Sequence, residues 1–138
     1  MTQVLSQRSD VGAPALSCAE ATVLVIDDDP HFRHLARHLL APDGIQVLEA
    51  ECVRDGLAWL QANLNEASAV VMDLVLPDED GIEAIREVKD FFPDLKVIAV
   101  SGVNYSSMYL KICKYLGADA VLSKLQIERL PELLASVL

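Results

Sequence analysis

Four short apolar runs in this 138-residue chain end in side chains suited to hard metal ions and phosphoryl groups. Val23 to Ile26 leads into Asp27-Asp28-Asp29, Val70 to Met72 into Asp73, Val97 to Val100 into Ser101, and Ala120 to Leu122 into Ser123-Lys124. An acidic pair, a third carboxylate, a hydroxyl and an ammonium meeting at one rim would be far more specific than any of them alone. Carboxylates about 5 Å apart repel by roughly 3 kcal/mol per pair at an effective dielectric near 20, so the set calls for a cation. Oxygen ligands select a hard one. Mg2+ fits because it takes oxygen ligands, keeps several waters and is completed by phosphate oxygens. Asp73 can then act as a nucleophile while Lys124 and the Ser101 hydroxyl bind the remaining phosphoryl oxygens, giving an aspartyl phosphate. The plainer alternative is that the Asp27 to Asp29 run caps a helix starting at Pro30, but capping needs one Asp and leaves the other strand ends unexplained.

These residues need a scaffold that brings strand ends together, and the hydrophobic pattern supplies one. Thr22 to Ile26, Ile45 to Glu49, Ser68 to Met72, Lys96 to Val100 and Asp119 to Leu122 read as strands. Between them, Phe32, Leu35, Ala36, Leu39 and Leu40 recur at helical spacing, as do Val53, Leu57, Leu60 and Leu64, then Ile82, Ile85 and Val88. Pro42-Asp43-Gly44, Phe92-Pro93-Asp94 and Leu116-Gly117-Ala118 end the helices, and Pro131 suits a late helix's first turn. Strands apolar throughout need cover on both faces, which right-handed βαβ crossovers provide. The pattern implies an α/β fold, a doubly wound parallel sheet of five strands whose functional crevice lies beyond the carboxyl ends of the strands. Residues 1–21 lack apolar periodicity and read as a loosely ordered leader before a single domain over 22–138.

The net charge of −10 disfavours direct contact with a nucleic-acid backbone. Cys18, Cys52 and Cys113 are odd in number and lack a CxxC pair, as expected for reduced thiols in a cytoplasmic protein. No apolar run approaches the roughly 20 residues of a membrane span. His31, His34 and His38 share a helical face and could hold zinc, but as flanks of the apolar stripe they read as solvated side chains. Asp78-Glu79-Asp80 reads as an exposed turn rather than a second metal site, Trp59, Phe91 and Phe92 as core or helix-end packing, and Tyr105, Tyr109 and Tyr115 as amphipathic packing.

The quoted segments resemble the receiver domain of two-component response regulators over about residues 22 to 138. Val-Leu-Val-Ile-Asp-Asp-Asp-Pro looks like that family's first strand with its metal-binding acids, which fall on Asp27 and Asp28. Val-Met-Asp-Leu-Val-Leu-Pro-Asp-Glu-Asp-Gly looks like its phosphorylation segment, with the acceptor on Asp73. The resemblance implies a flavodoxin-like sheet of order 2-1-3-4-5, Mg2+ on Asp27, Asp28, Asp73 and the backbone carbonyl of Val75, a hydroxyl switch at Ser101 and a phosphoryl-binding Lys124. It also implies a signalling module, not an enzyme. A sensor histidine kinase or histidine phosphotransfer protein would donate the phosphoryl, and the face of the fourth helix, fifth strand and fifth helix would engage a downstream protein or effector domain. Two positions depart from the family pattern. Leu125 stands where Pro usually follows the lysine, so a cis peptide is not expected there. Val121 stands where the fifth strand commonly carries an aromatic switch.

Two residues beyond a site residue in each case, Val75 and Val103 could exclude water and slow loss of phosphate. A rival reading is a haloacid-dehalogenase-type phosphatase with Asp27 as nucleophile, whose late acidic pair would have to come from Glu128 and Glu132. Another is a phosphorylation-independent interaction module on the same scaffold.

Overall fold

The computed structural model describes residues 21–102 and 107–138, with side chains described outside 103–110. Strands β1 (Thr22–Ile26), β2 (Gln46–Ala50), β3 (Ala69–Asp73), β4 (Lys96–Ser101) and β5 (Ala120–Ser123) alternate with helices α1 (Pro30–Leu40), α2 (Val53–Ala62), α3 (Gly81–Phe91), α4 (Ser107–Tyr115) and α5 (Leu130–Val137). All strand pairs are parallel, in the order β2-β1-β3-β4-β5. The expected doubly wound sheet and its order are therefore present.

Strand alternation divides the core into two layers. Leu24, Ile26, Val70, Met72, Val97 and Ala99 face Val53 and Leu60 of α2, Ala84, Ile85 and Val88 of α3, and Cys113 of α4. Val23, Val25, Val71, Ile98 and Val100 face Phe32, Ala36 and Leu40 of α1 and Leu130 and Leu134 of α5. Burying both faces is why these strands carry almost continuous apolar runs.

Some expectations shift. β2, β3 and β5 each begin and end one residue later than the pattern suggested, and β3 consequently includes Asp73. Leu35 is 41% exposed, because α1 buries the i, i+4, i+8 stripe of Phe32, Ala36 and Leu40. Leu64 is exposed because α2 stops at Ala62, and Gly56 takes a buried place on that helix instead. Phe91 and Tyr115 are exposed, whereas Phe92 and Trp59 pack partly buried against the core. The Leu130-Pro131 start of α5 is as expected. Residues 1–20, Val103 and Tyr105, and the side chain of Tyr109, lie outside the described residues.

Gly81 lets α3 begin directly against the end of β3. A Cβ there would lie 2.5 Å from the Leu74 Cα and carbonyl oxygen, which are backbone atoms that cannot swing aside. We expect Gly81→Ala to lower unfolding free energy by about 1–3 kcal/mol in urea denaturation. A loss below about 0.5 kcal/mol would show that the close approach is not constrained.

Candidate functional site

The acidic run after β1 is divided among three tasks. Asp27 is fully buried, its amide donates to the Ala50 carbonyl at 3.0 Å, and its own carbonyl accepts from Arg33 Nη1 at 2.7 Å. Arg33 is itself steadied by Glu49 Oε1 of β2 at 2.8 Å. Asp27 Oδ1 accepts from the Asp29 amide at 2.8 Å, turning the chain so that Asp28 stands exposed on the rim. Asp29 is the N-cap of α1, accepting from the His31 amide at 2.9 Å with Pro30 in the first turn. The capping explanation thus accounts for Asp29 and leaves Asp27 and Asp28 available.

Asp73, the last residue of β3, is 4% exposed. Its Oδ1 accepts from the Val75 amide at 3.2 Å and its Oδ2 from Lys124 Nζ at 3.3 Å. The same ammonium lies 2.9 Å from Asp27 Oδ2, close enough for an ion pair but off the hydrogen-bonding angle, so this buried oxygen has no hydrogen-bond partner. Lys124 also sits 4.9 Å from the centroid of the Phe32 ring, a cation–π contact. Its peptide to Leu125 is trans, and Ser123 Oγ accepts from the Leu125 amide. Ser101 is 2% exposed, one residue past Val100, the register partner of Asp73. The distances thus draw Asp27, Asp73 and Lys124 into one cluster, and the β3–β4 register places Ser101 at the same rim.

Carboxylate oxygens of Asp27, Asp28 and Asp73 all lie within 4.8 Å of one another. Three carboxylates facing one ammonium leave an excess of two negative charges. Burial, and then the Asp27 carboxylate, push Asp73 above the usual range, against the Val75 amide and Lys124. Burial pulls Lys124 down, but Asp27 and Asp73 outweigh it and hold the ammonium above its ordinary value. Oxygen donors in excess of local positive charge, three carboxylates sharing one ammonium, suit a divalent cation. Among the described residues this is the metal-capable cluster. His31, His34 and His38 are exposed, and Glu128 and Glu132, needed by the phosphatase reading, are exposed and outside it.

Three contributors were not legible as such. Arg33 and Phe32 sit in an ordinary amphipathic helix pattern, and only the fold shows one gripping Asp27 and the other beneath Lys124. Asp78-Glu79-Asp80 is more than a turn: Asp78 accepts from the Val53 and Arg54 amides, and Asp80 caps α3 through the Ile82 amide. The carboxylates flanking Pro77 and Gly81 were the available signal.

Comparison with known proteins places the fold and the family. Residues 23–135 match the family described as the response regulator receiver domain. The chain is 36% identical over 102 residues to the KDP operon transcriptional regulatory protein KdpE of Escherichia coli, covering 74% of this chain and 44% of that protein. It is 26% identical over 110 residues to the chemotaxis protein CheY of Bacillus subtilis, covering 80% of this chain and 91% of the relative. The solved chemotaxis response regulator CheY4 of Vibrio cholerae superposes with a TM-score of 0.74 at 26% identity, covering 86% of this chain and 98% of that one. The chain spans less than half of KdpE and most of CheY.

Glu79 offers a pH test of the loop after β3. Burial, a shared hydrogen bond with Glu87 and repulsion from Glu87, Asp78 and Glu83 push its carboxyl up to about 7. A folded value above the unfolded one means this contribution to stability is fully present below about 4.5 and is lost as pH rises through about 7. We expect the melting temperature to fall less between pH 5 and 8 in Glu79→Gln than in the parent. Equal slopes would remove Glu79 as the titrating group.

Proposed function

Because the chain belongs to the response regulator receiver domain family, we propose that Asp73 accepts a phosphoryl group from a phosphohistidine of a sensor histidine kinase or histidine phosphotransfer protein. The observation that carries this reading is the meeting of Asp73, Asp27 and Lys124 within 3.3 Å contacts, with Asp28 completing a three-carboxylate cluster. In the transfer an Asp73 carboxylate oxygen forms the new O–P bond as the donor's N–P bond breaks, and the departing electron pair stays on the imidazole nitrogen. Arg33 and the Asp29 amide hold Asp27 in place, and the Val75 amide orients the Asp73 carboxylate. Lys124, held between two carboxylates and the Phe32 ring, supplies positive charge to the phosphoryl oxygens, with the Ser101 hydroxyl as a further donor. Asp27, Asp28, Asp73 and the Val75 carbonyl would hold Mg2+, which when bound offsets charge on the transferring group.

Receiver domains are signalling modules, and the family pattern puts output on the α4-β5-α5 face toward a downstream protein or effector domain. Val121 packs partly buried against the core there, so switching in this chain proceeds without a ring at that position. The net charge of −10 disfavours direct nucleic-acid contact by this domain, and no helix of the described residues is long and apolar enough to cross a membrane.

Incubation with a labelled phosphohistidine donor and Mg2+ tests the assignment. We expect acid-stable, base-labile label on the parent, none on Asp73→Asn, and a labelling rate reduced roughly 100-fold in Lys124→Met, as for loss of an oxyanion-binding donor. Continuous phosphate release that survives in Asp73→Asn and disappears in Asp27→Asn would instead support the phosphatase. Val75, whose side chain is 57% exposed beside Asp73, should shield the phosphoryl group from water. Label should therefore decay faster from Val75→Asn, and an unchanged lifetime would contradict that role.

A further inference from the structure

Helix α2 lacks a cap of its own. Its N-cap, Cys52, has the extended backbone expected there (φ −151°, ψ 167°) but makes no side-chain hydrogen bond to the first turn. A thiol is a weak acceptor, and the first amides of any helix need partners from outside the helical ladder. The partner comes from the loop after β3. Asp78 Oδ1 accepts from the Val53 amide at 3.1 Å and Oδ2 from the Arg54 amide at 3.0 Å, across 25 and 24 residues of sequence. Both oxygens of one carboxylate thus complete the positive end of a helix from another part of the chain. Burial pushes the Asp78 carboxyl up, but the Arg54 and Val53 amides together hold it below the usual range.

The other end of this contact matters to the site. Asp78 lies three residues past Val75, in a loop closed on itself by a bridge between Val75 and Asp80 and by the Gly81 amide donating to the Leu74 carbonyl at 3.2 Å. Leu74 and Leu76 root that loop in the core beneath β3. Neither tie reaches the β1–β2 side of the rim, where Asp27 meets Ala50. Asp78 does, because α2 starts just after β2 ends.

We infer that Asp78 is a positioning residue for the acceptor site: by capping α2 from a distance it fixes Val75 relative to Asp27 and Asp28. This rests on the reading of Val75 as a carbonyl ligand in a phospho-accepting site. Outer partners that orient metal ligands typically change metal affinity by about 10–100-fold when removed.

The test uses the full chain and separates helix capping from loop positioning. Mg2+ affinity is measured by calorimetry, and amide exchange at Val75 by NMR without metal, for the parent, Asp78→Ala, Asp78→Asn and Asp78→Ala with Cys52→Ser. The serine supplies α2 with an ordinary local cap. We expect the Mg2+ dissociation constant to rise about 10-fold in Asp78→Ala, less in Asp78→Asn, and to stay raised when Cys52→Ser is added. Val75 exchange should quicken in parallel. Recovery of Mg2+ affinity by Cys52→Ser would overturn the inference, since Asp78 would then act on α2 alone. Unchanged Val75 exchange in metal-free Asp78→Ala would overturn it independently of any metal. A parent that binds no Mg2+ would overturn the acceptor reading along with it.

Discussion

Asp27 and Asp73 are buried at the ends of neighbouring strands with one ammonium between them and Asp28 on the rim above. Much of the surrounding structure answers the resulting charge imbalance. Withdrawing charge from water is costly unless it is paired and hydrogen bonded, and removing one partner of such a group leaves the rest uncompensated. Here the compensation is incomplete by design of the geometry: Lys124 serves two carboxylates, and Asp27 Oδ2 keeps a lone pair unused by any hydrogen bond. The cluster is therefore a standing demand for further positive charge. A divalent ion held by the three carboxylates would meet it, and would leave Lys124 able to bind the oxygens of an incoming phosphoryl group.

The fold makes such an arrangement sustainable. Asp27 and Asp73 are each fixed by contacts outside the carboxylate–ammonium cluster: Asp27 by Ala50, Arg33 and Asp29, and Asp73 by the Val75 amide. Arg33 is carried on α1 and braced by Glu49 of β2, which also accepts from Arg37 at 2.6 Å. Burial pushes Glu49 up, but the two guanidiniums prevail and hold its carboxylate below its ordinary range. On the far side Asp119 takes the Val97 amide and Lys89 together, tying α3 to β4 and β5. The parallel core supplies rigidity, and polar ties at its upper rim aim the site.

The sheet and its strand-end acids were readable because both rest on local patterns. Runs such as Val23 to Ile26 and Val97 to Val100 have no face to spare for water, and that forces helices on both sides. Asp73 could be found because it follows such a run. What the pattern could not show depends on contacts between distant segments. Phe32 reads as core, yet also receives the Lys124 ammonium; Asp78 reads as a turn residue, yet caps a helix 25 positions away. Leu35 and Leu64 fit a helical stripe by spacing, but periodicity does not say where a helix stops or how wide its buried face is. The one-residue shifts of β2, β3 and β5 have the same origin, since a strand's end is set by the register of its neighbour.

The charge imbalance can be measured directly by melting the parent and Asp73→Asn at pH 8 with and without Mg2+. Removing one negative charge should make the metal-free variant more stable than the metal-free parent, because burial and Asp27 both disfavour the Asp73 carboxylate. Mg2+ at about 100 times its dissociation constant should stabilise the parent by about 2.7 kcal/mol and leave the variant nearly unchanged. A parent indifferent to Mg2+, with Asp73→Asn less stable than it, would contradict the account.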